Sequence, residues 1–149
     1  MSDTALFGSF YGGLGVTVLA LGVALVLAHK HDARGHIKAV VAFLAALLVT
    51  LYFAEQLGRR YEFASTPKTI HLTLALTTSA FLPVPLVTGV QHWRGKLSRQ
   101  VHSRLAMVFL ALTASSMVTG IWMISTRTPK PEPARLSPPA LHDPEPALG

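Results

Sequence analysis

Charged residues divide this chain into four long apolar stretches. Lys, Arg, Asp and Glu are absent from residues 5–28, 39–54, 69–93 and 105–126. A hydrocarbon core about 30 Å thick takes about 20 residues of helix to cross. Three of the stretches reach that length alone, and the second does so once 55–58 is added. The pattern predicts transmembrane helices near 8–29, 36–58, 69–92 and 103–125. Their loops are short, so neighbours run antiparallel. The expected fold is an all-α integral membrane protein, a four-helix transmembrane bundle occupying residues 1–126. Pro83 and Pro85 should bend the third helix, because each removes a backbone donor and crowds the preceding turn.

Only Asp3 precedes the first stretch as a charge, whereas a signal peptide carries a basic leader, so this stretch is expected to stay as a helix. Beyond it lies a different kind of sequence at the other end. Seven of the ten prolines fall after Arg127. Residues 127–149 are expected to form a disordered, Pro-rich tail.

Composition narrows the function. Half of the 149 residues are hydrophobic and 13% are charged, against roughly 25% charged in a soluble domain. Four spans leave no room for a separate soluble catalytic domain. The absence of cysteine excludes disulfides, thiolate zinc, iron-sulfur clusters and covalent c-type haem. Metal chemistry, if any, falls to His, Met and carboxylates. The net charge of +6 does not predict a nucleic-acid partner, because the basic residues flank apolar blocks instead of forming a face of their own. They report topology. Loops 29–38 and 92–104 carry seven basic residues on one side; the amino terminus, loop 59–68 and the tail carry six on the other. Because the seven all lie in short loops, where the positive-inside rule counts them, both termini are expected outside a bacterial-type cytoplasmic membrane. Small residues at four-residue spacing, Gly8 with Gly12, Ala42 with Ala46 and Ser116 with Gly120, are expected to be packing positions.

The histidines are the candidate chemistry. His29, His31, His36, His92 and His102 map to the inner side, His71 to the outer end of helix three, and His142 to the tail. His71 and His92 are 21 residues apart, about 31 Å along a helix axis, so they cannot share a metal. Helix four repeats the spacing with His102 and Met123. In antiparallel helices His92 then lies level with His102, and His71 with Met123. His36 opens helix two in the leaflet where His102 opens helix four. Paired His, or His with Met, is the axial ligation of haem iron; neutral imidazole also takes copper. The plainer alternative is that histidines near headgroups are interfacial polar residues. His29 and His31, beside Lys30 and Asp32, read as solvated. Glu55, the one carboxylate inside a span, either serves a proton or metal site beside His71 or pairs with Arg59 four residues on. Thr69, Thr73, Thr77 and Thr78 are expected to bond their own helix backbone. No nucleophile with a base and orienting acid, phosphate-binding glycine loop or zinc protease motif is present, which points to binding more than to catalysis.

The order of these features resembles a family. A His-led second helix (His36), Pro85-Leu86 late in the third, a short basic loop, His102-Ser103-Arg104 opening the fourth and Thr119-Gly120 near its end resemble the CtaM-type membrane proteins. The resemblance covers roughly residues 36–124. It implies a small helical protein that assists the maturation or assembly of a haem-copper respiratory oxidase, with that membrane complex as partner and His36 and His102, joined by His92, as haem or copper ligands. Two positions depart from the family outline, with Glu55 standing near one expected histidine and His71 falling early for another. The same outline is similar to cytochrome b561-like proteins, which hold two b haems through histidines near helix ends; His71 with Met123 would then supply the outer pair. A structural subunit without cofactor is the third class.

Overall fold

The computed structural model of the chain describes residues 2–130. Four spans are present, each long and apolar enough to cross a membrane. Helix α1 runs Asp3–His29 and α2 runs Ala33–Arg60. The third span, Ser65–Trp93, is divided into α3 (Ser65–Phe81) and α4 (Pro83–Trp93), and α5 runs Arg99–Ser125. The division falls at Leu82, immediately before Pro83, as the missing proline donors require. The outward surface is apolar: Leu19 and Leu76 remain 71% and 70% exposed, which suits lipid and not water. His142 and the expected disorder of 131–149 lie outside the described residues.

Side chains cap three of the helix starts. Ser2, Asp32 and Ser98 accept from the backbone N–H three residues ahead, Ala5, Gly35 and Val101, satisfying donors that the first turn leaves free. Two helices end in the same device. Asp32 N–H bonds Leu27 O while His31 N–H bonds Ala28 O, and Lys96 N–H bonds Gln91 O while Gly95 N–H bonds His92 O. This double bond puts the intervening residue in the left-handed region, occupied by Gly95 at φ 70° and by His31 at φ 59°. A side chain in that region is strained. The His31 ring nitrogens lie 3.1 Å from an Arg99 nitrogen, so His31 is a turn residue that links the two loops of its end.

The helices pack as two hairpins, α1 with α2 and α5 with α3 and α4. Within the first, Thr17 and Thr50 hydroxyls bond at 3.0 Å, and a Cβ on Gly13 would stand 3.0 Å from the Thr50 oxygen. Close approaches between helices fall at Gly13, Gly89 and Gly120. Gly8 and Gly12 face open space, so the expected packing role of that pair does not hold; spacing alone does not say which face of a helix meets a neighbour. Three of the threonines do bond their own helix backbone: Thr73 to Thr69, Thr77 to Thr73 and Thr78 to Leu74, at 2.7–2.9 Å.

The hairpins join at the end bearing Ser2 and Lys130. Leu6 and Phe10 of α1, Leu57 of α2, Tyr61, and Ile124 of α5 form a buried cluster, and the Arg127 guanidinium lies 4.8 Å above the Phe7 ring. Burial of Tyr61, helped by its hydrogen bond to Asp3, pushes the phenol above its usual pKa. A short antiparallel clasp closes this end: β1 (Tyr61–Glu62) pairs with β2 (Thr128–Pro129). Lys130 adds its backbone N–H to Arg60 O and its ammonium to Gly58 O. The tail thus begins with ordered residues at 127–130, where the sequence predicts none, because the backbone leaving α2 offers free pairing groups beside it. Truncation after Lys130 should leave the melting temperature in detergent unchanged, whereas truncation after Arg127 should lower it by several degrees. Equal melting temperatures would show that the clasp contributes nothing.

Candidate metal and cofactor site

Four histidines stand half-buried near helix ends: His36 on α2, His71 on α3, His92 on α4 and His102 on α5. Each is held through Nδ1. His36 Nδ1 lies 2.8 Å from Ala24 O, His71 Nδ1 3.0 Å from Ser116 O and His92 Nδ1 3.0 Å from Leu97 O. A carbonyl only accepts, so in each case Nδ1 carries the proton and donates. His102 Nδ1 lies 3.2 Å from the Thr88 hydroxyl oxygen. That hydroxyl spends its own proton on Val84 O at 2.8 Å, so it too accepts from Nδ1–H. In its neutral form each of the four rings therefore has the tautomer that leaves a bare lone pair on Nε2. Orienting an imidazole through the opposite nitrogen is how proteins prepare it to ligate a metal.

Three of these histidines share one end of the bundle. The rings of His92 and His102 have centres 6.1 Å apart and planes 9° apart. Metal–nitrogen bonds of about 2.0 Å place two imidazoles on opposite sides of one metal with centres about 6 Å apart. Offset ring packing spans the same distance, and these two rings are stacked. His36, anchored to α1 through Ala24 O, lies within electrostatic range of His102. The direct ring neighbour of His102 is thus His92, while His36 approaches from the other hairpin. Among the described residues no three His or carboxylate side chains converge on one point. A closed three- or four-ligand zinc site does not match this arrangement.

His71 and Met123 lie at the opposite end and line one cavity of about 930 Å³ between the hairpins. Its walls are largely apolar, and the edge-on pair Phe43 and Phe109, with centres 6.4 Å apart, forms part of its lining deeper in the membrane. Glu55 lines its rim and pairs with Arg59 at 2.7 Å, both side chains more than half exposed. This is the i,i+4 ion pair that the sequence spacing allows. Exposed pairs contribute little, so Glu55→Gln should leave thermal stability and haem or copper uptake almost unchanged. A severalfold loss of uptake in that variant would place the carboxylate in the site's chemistry. His29 is exposed, in keeping with a solvated turn.

The rings are evident in the sequence, but what holds them is not. A Cβ on Gly89 would stand 3.2 Å from His102 Cε1, and one on Gly120 would stand 3.0 Å from His71 Cε1. These glycines admit the rings, and Thr88 orients one of them. The available signal was a Val-Thr-Gly triplet beginning 16 residues after each of His71 and His102. The chain matches no protein-family model, no curated protein and no solved structure.

Proposed function

We propose that the chain binds haem or copper through helix-end histidines and serves the maturation or assembly of a membrane respiratory oxidase, with both termini outside the cytoplasmic membrane. The observation that carries this reading is the common tautomer: His36, His92 and His102 all expend Nδ1–H on the protein and keep Nε2 for a ligand. His102, with His92, is the primary ligand, and His36 reaches the same end from α2. The resemblance of His36, Pro85-Leu86, His102-Ser103-Arg104 and Thr119-Gly120 to CtaM-type proteins supports the same role. An electron carrier with b-type haem is the second reading, favoured by the near-parallel His92 and His102 rings.

The test is the purified full-length protein, assayed for haem and copper and recorded as a reduced-minus-oxidised spectrum. Retained or stoichiometrically added copper or haem supports binding; sharp b-type bands from resident, reversibly reduced haem favour the electron carrier. A colourless, metal-free protein that takes up neither haem nor copper contradicts both readings and leaves a structural subunit.

A further inference from the structure

Helices contact one another within each hairpin far more than across the two. The hairpins meet in the buried cluster around Leu6 and Leu57 and again where the Phe43 and Phe109 rings approach edge to face. The cavity of about 930 Å³ lies between them and is lined from both sides. Protein interiors seldom keep voids larger than a water molecule, and apolar walls hold water poorly. The lining threonines turn their hydroxyls to helix carbonyls, Thr17 to Gly13, Thr50 to Ala46, Thr78 to Leu74 and Thr113 to Phe109. Most of this wall is thus matched to hydrocarbon.

The cavity is also long and open at the side. Its lining runs along α3 from Lys68 to Leu82 and along α2 from Phe43 to Arg59, about 21 and 24 Å at 1.5 Å per residue. Half of a bilayer about 40–45 Å thick with its headgroups is about 20–22 Å, so the cavity has the depth of one leaflet. Leu51, Leu72 and Ile121 belong to the lining yet remain exposed on the bundle surface, which leaves a lateral way in from the lipid.

Charge marks one end only. The deep end, at Phe43 and Phe109, has no charged residue on its walls, whereas the rim carries five. Arg59 and Glu55 neutralise each other there, which leaves Lys68 and Lys130 against Glu62. The Lys68 ammonium is exposed and has no hydrogen bond or ion pair among the described residues. Lys130 gives one hydrogen bond to Gly58 O and has two further donors.

We infer that the cavity is a binding site for one anionic phospholipid of the surrounding bilayer, with an acyl chain along the apolar walls toward Phe43 and Phe109 and the phosphate at the rim on Lys68 and Lys130. The site is independent of the histidines at the opposite end.

The experiment adds phosphatidylglycerol or phosphatidylcholine of identical chains to the delipidated full chain in detergent and counts bound lipid by native mass spectrometry. One phosphatidylglycerol should bind the parent about five- to tenfold tighter than phosphatidylcholine, since each basic residue near a headgroup contributes about fivefold and Glu62 opposes the two lysines. Lys68→Gln should lower phosphatidylglycerol affinity about fivefold and leave phosphatidylcholine unchanged. Ala75→Phe, which fills the cavity from α3, should abolish binding, whereas Leu76→Phe, on the outward face of the same helix, should retain it. Leu47→Trp fills the cavity from α2 and should give the same loss, so the test stands even where Ala75→Phe loses its helicity by circular dichroism. Binding that survives both filling variants, that disappears equally in Leu76→Phe, or that does not distinguish the two lipids in the parent overturns the inference. So does a parent that retains no lipid. Each of these results leaves the metal reading to its own test.

Discussion

Replacing His102 by alanine should remove copper or haem from the histidine-rich end while the bundle still inserts and keeps its helicity. The ring ligates nothing else in the protein. Its Nδ1–H is bound to Thr88, so truncation deletes one intramolecular hydrogen bond and one candidate ligand nitrogen. The affinity loss should exceed about a hundredfold, since even the groups that orient a ligand contribute about 10–100-fold. Thr88→Val supplies the matching control. It keeps the ring, removes the acceptor that fixes its tautomer, and should weaken binding by about tenfold. Equilibrium dialysis against a copper or haem buffer checks both. Equal affinity in His102→Ala and the parent would remove this residue from the site.

Leu6→Ala should be the most destabilising of the single core truncations. Leu6 is 1% exposed, at the junction where α1, α2 and α5 meet beneath the clasp. Within lipid, helices are not driven together by removing apolar surface from water, so packing carries more of the association. Deleting the side chain leaves a void that its neighbours only partly fill, at a cost of about 2–5 kcal/mol for buried leucines. Thermal unfolding in detergent, followed by helical circular dichroism, should show a clear fall in melting temperature. Leu19→Ala, on the exposed face of the same helix, should be nearly silent.

The four spans were legible because the charge-free stretches correspond directly to helices that must satisfy their backbone within lipid. Pro83 announced the break at Leu82 for an equally local reason. Tertiary features were less accessible. Gly8 and Gly12 have the spacing of a packing motif but face open space, while Gly13 takes the close contact with Thr50; helix rotation is decided by the partner. The pairing of Tyr61–Glu62 with Thr128–Pro129 joins two segments of two residues each, too short to carry a periodic signal. The levels of His92 with His102 and of His71 with Met123 follow from equal spacing on antiparallel helices. Which atoms hold each ring does not, because the acceptors are mostly backbone carbonyls, which every residue has. Only Thr88, Gly89 and Gly120 left a mark in the sequence, through the repeated Val-Thr-Gly.

On this reading the protein spends Nδ1–H of these histidines on itself and reserves Nε2 for a metal. Nitrogen-15 NMR of histidine-labelled full-length protein in lipid, at a pH where the rings are neutral, reads this directly. Signals assigned by single substitutions to His36, His71, His92 and His102 should show a protonated Nδ1 and an unprotonated Nε2, and addition of copper or haem should perturb the His102 Nε2 signal most among those at its end. A proton on Nε2 of His102, or signals that ignore both ligands, would contradict the account.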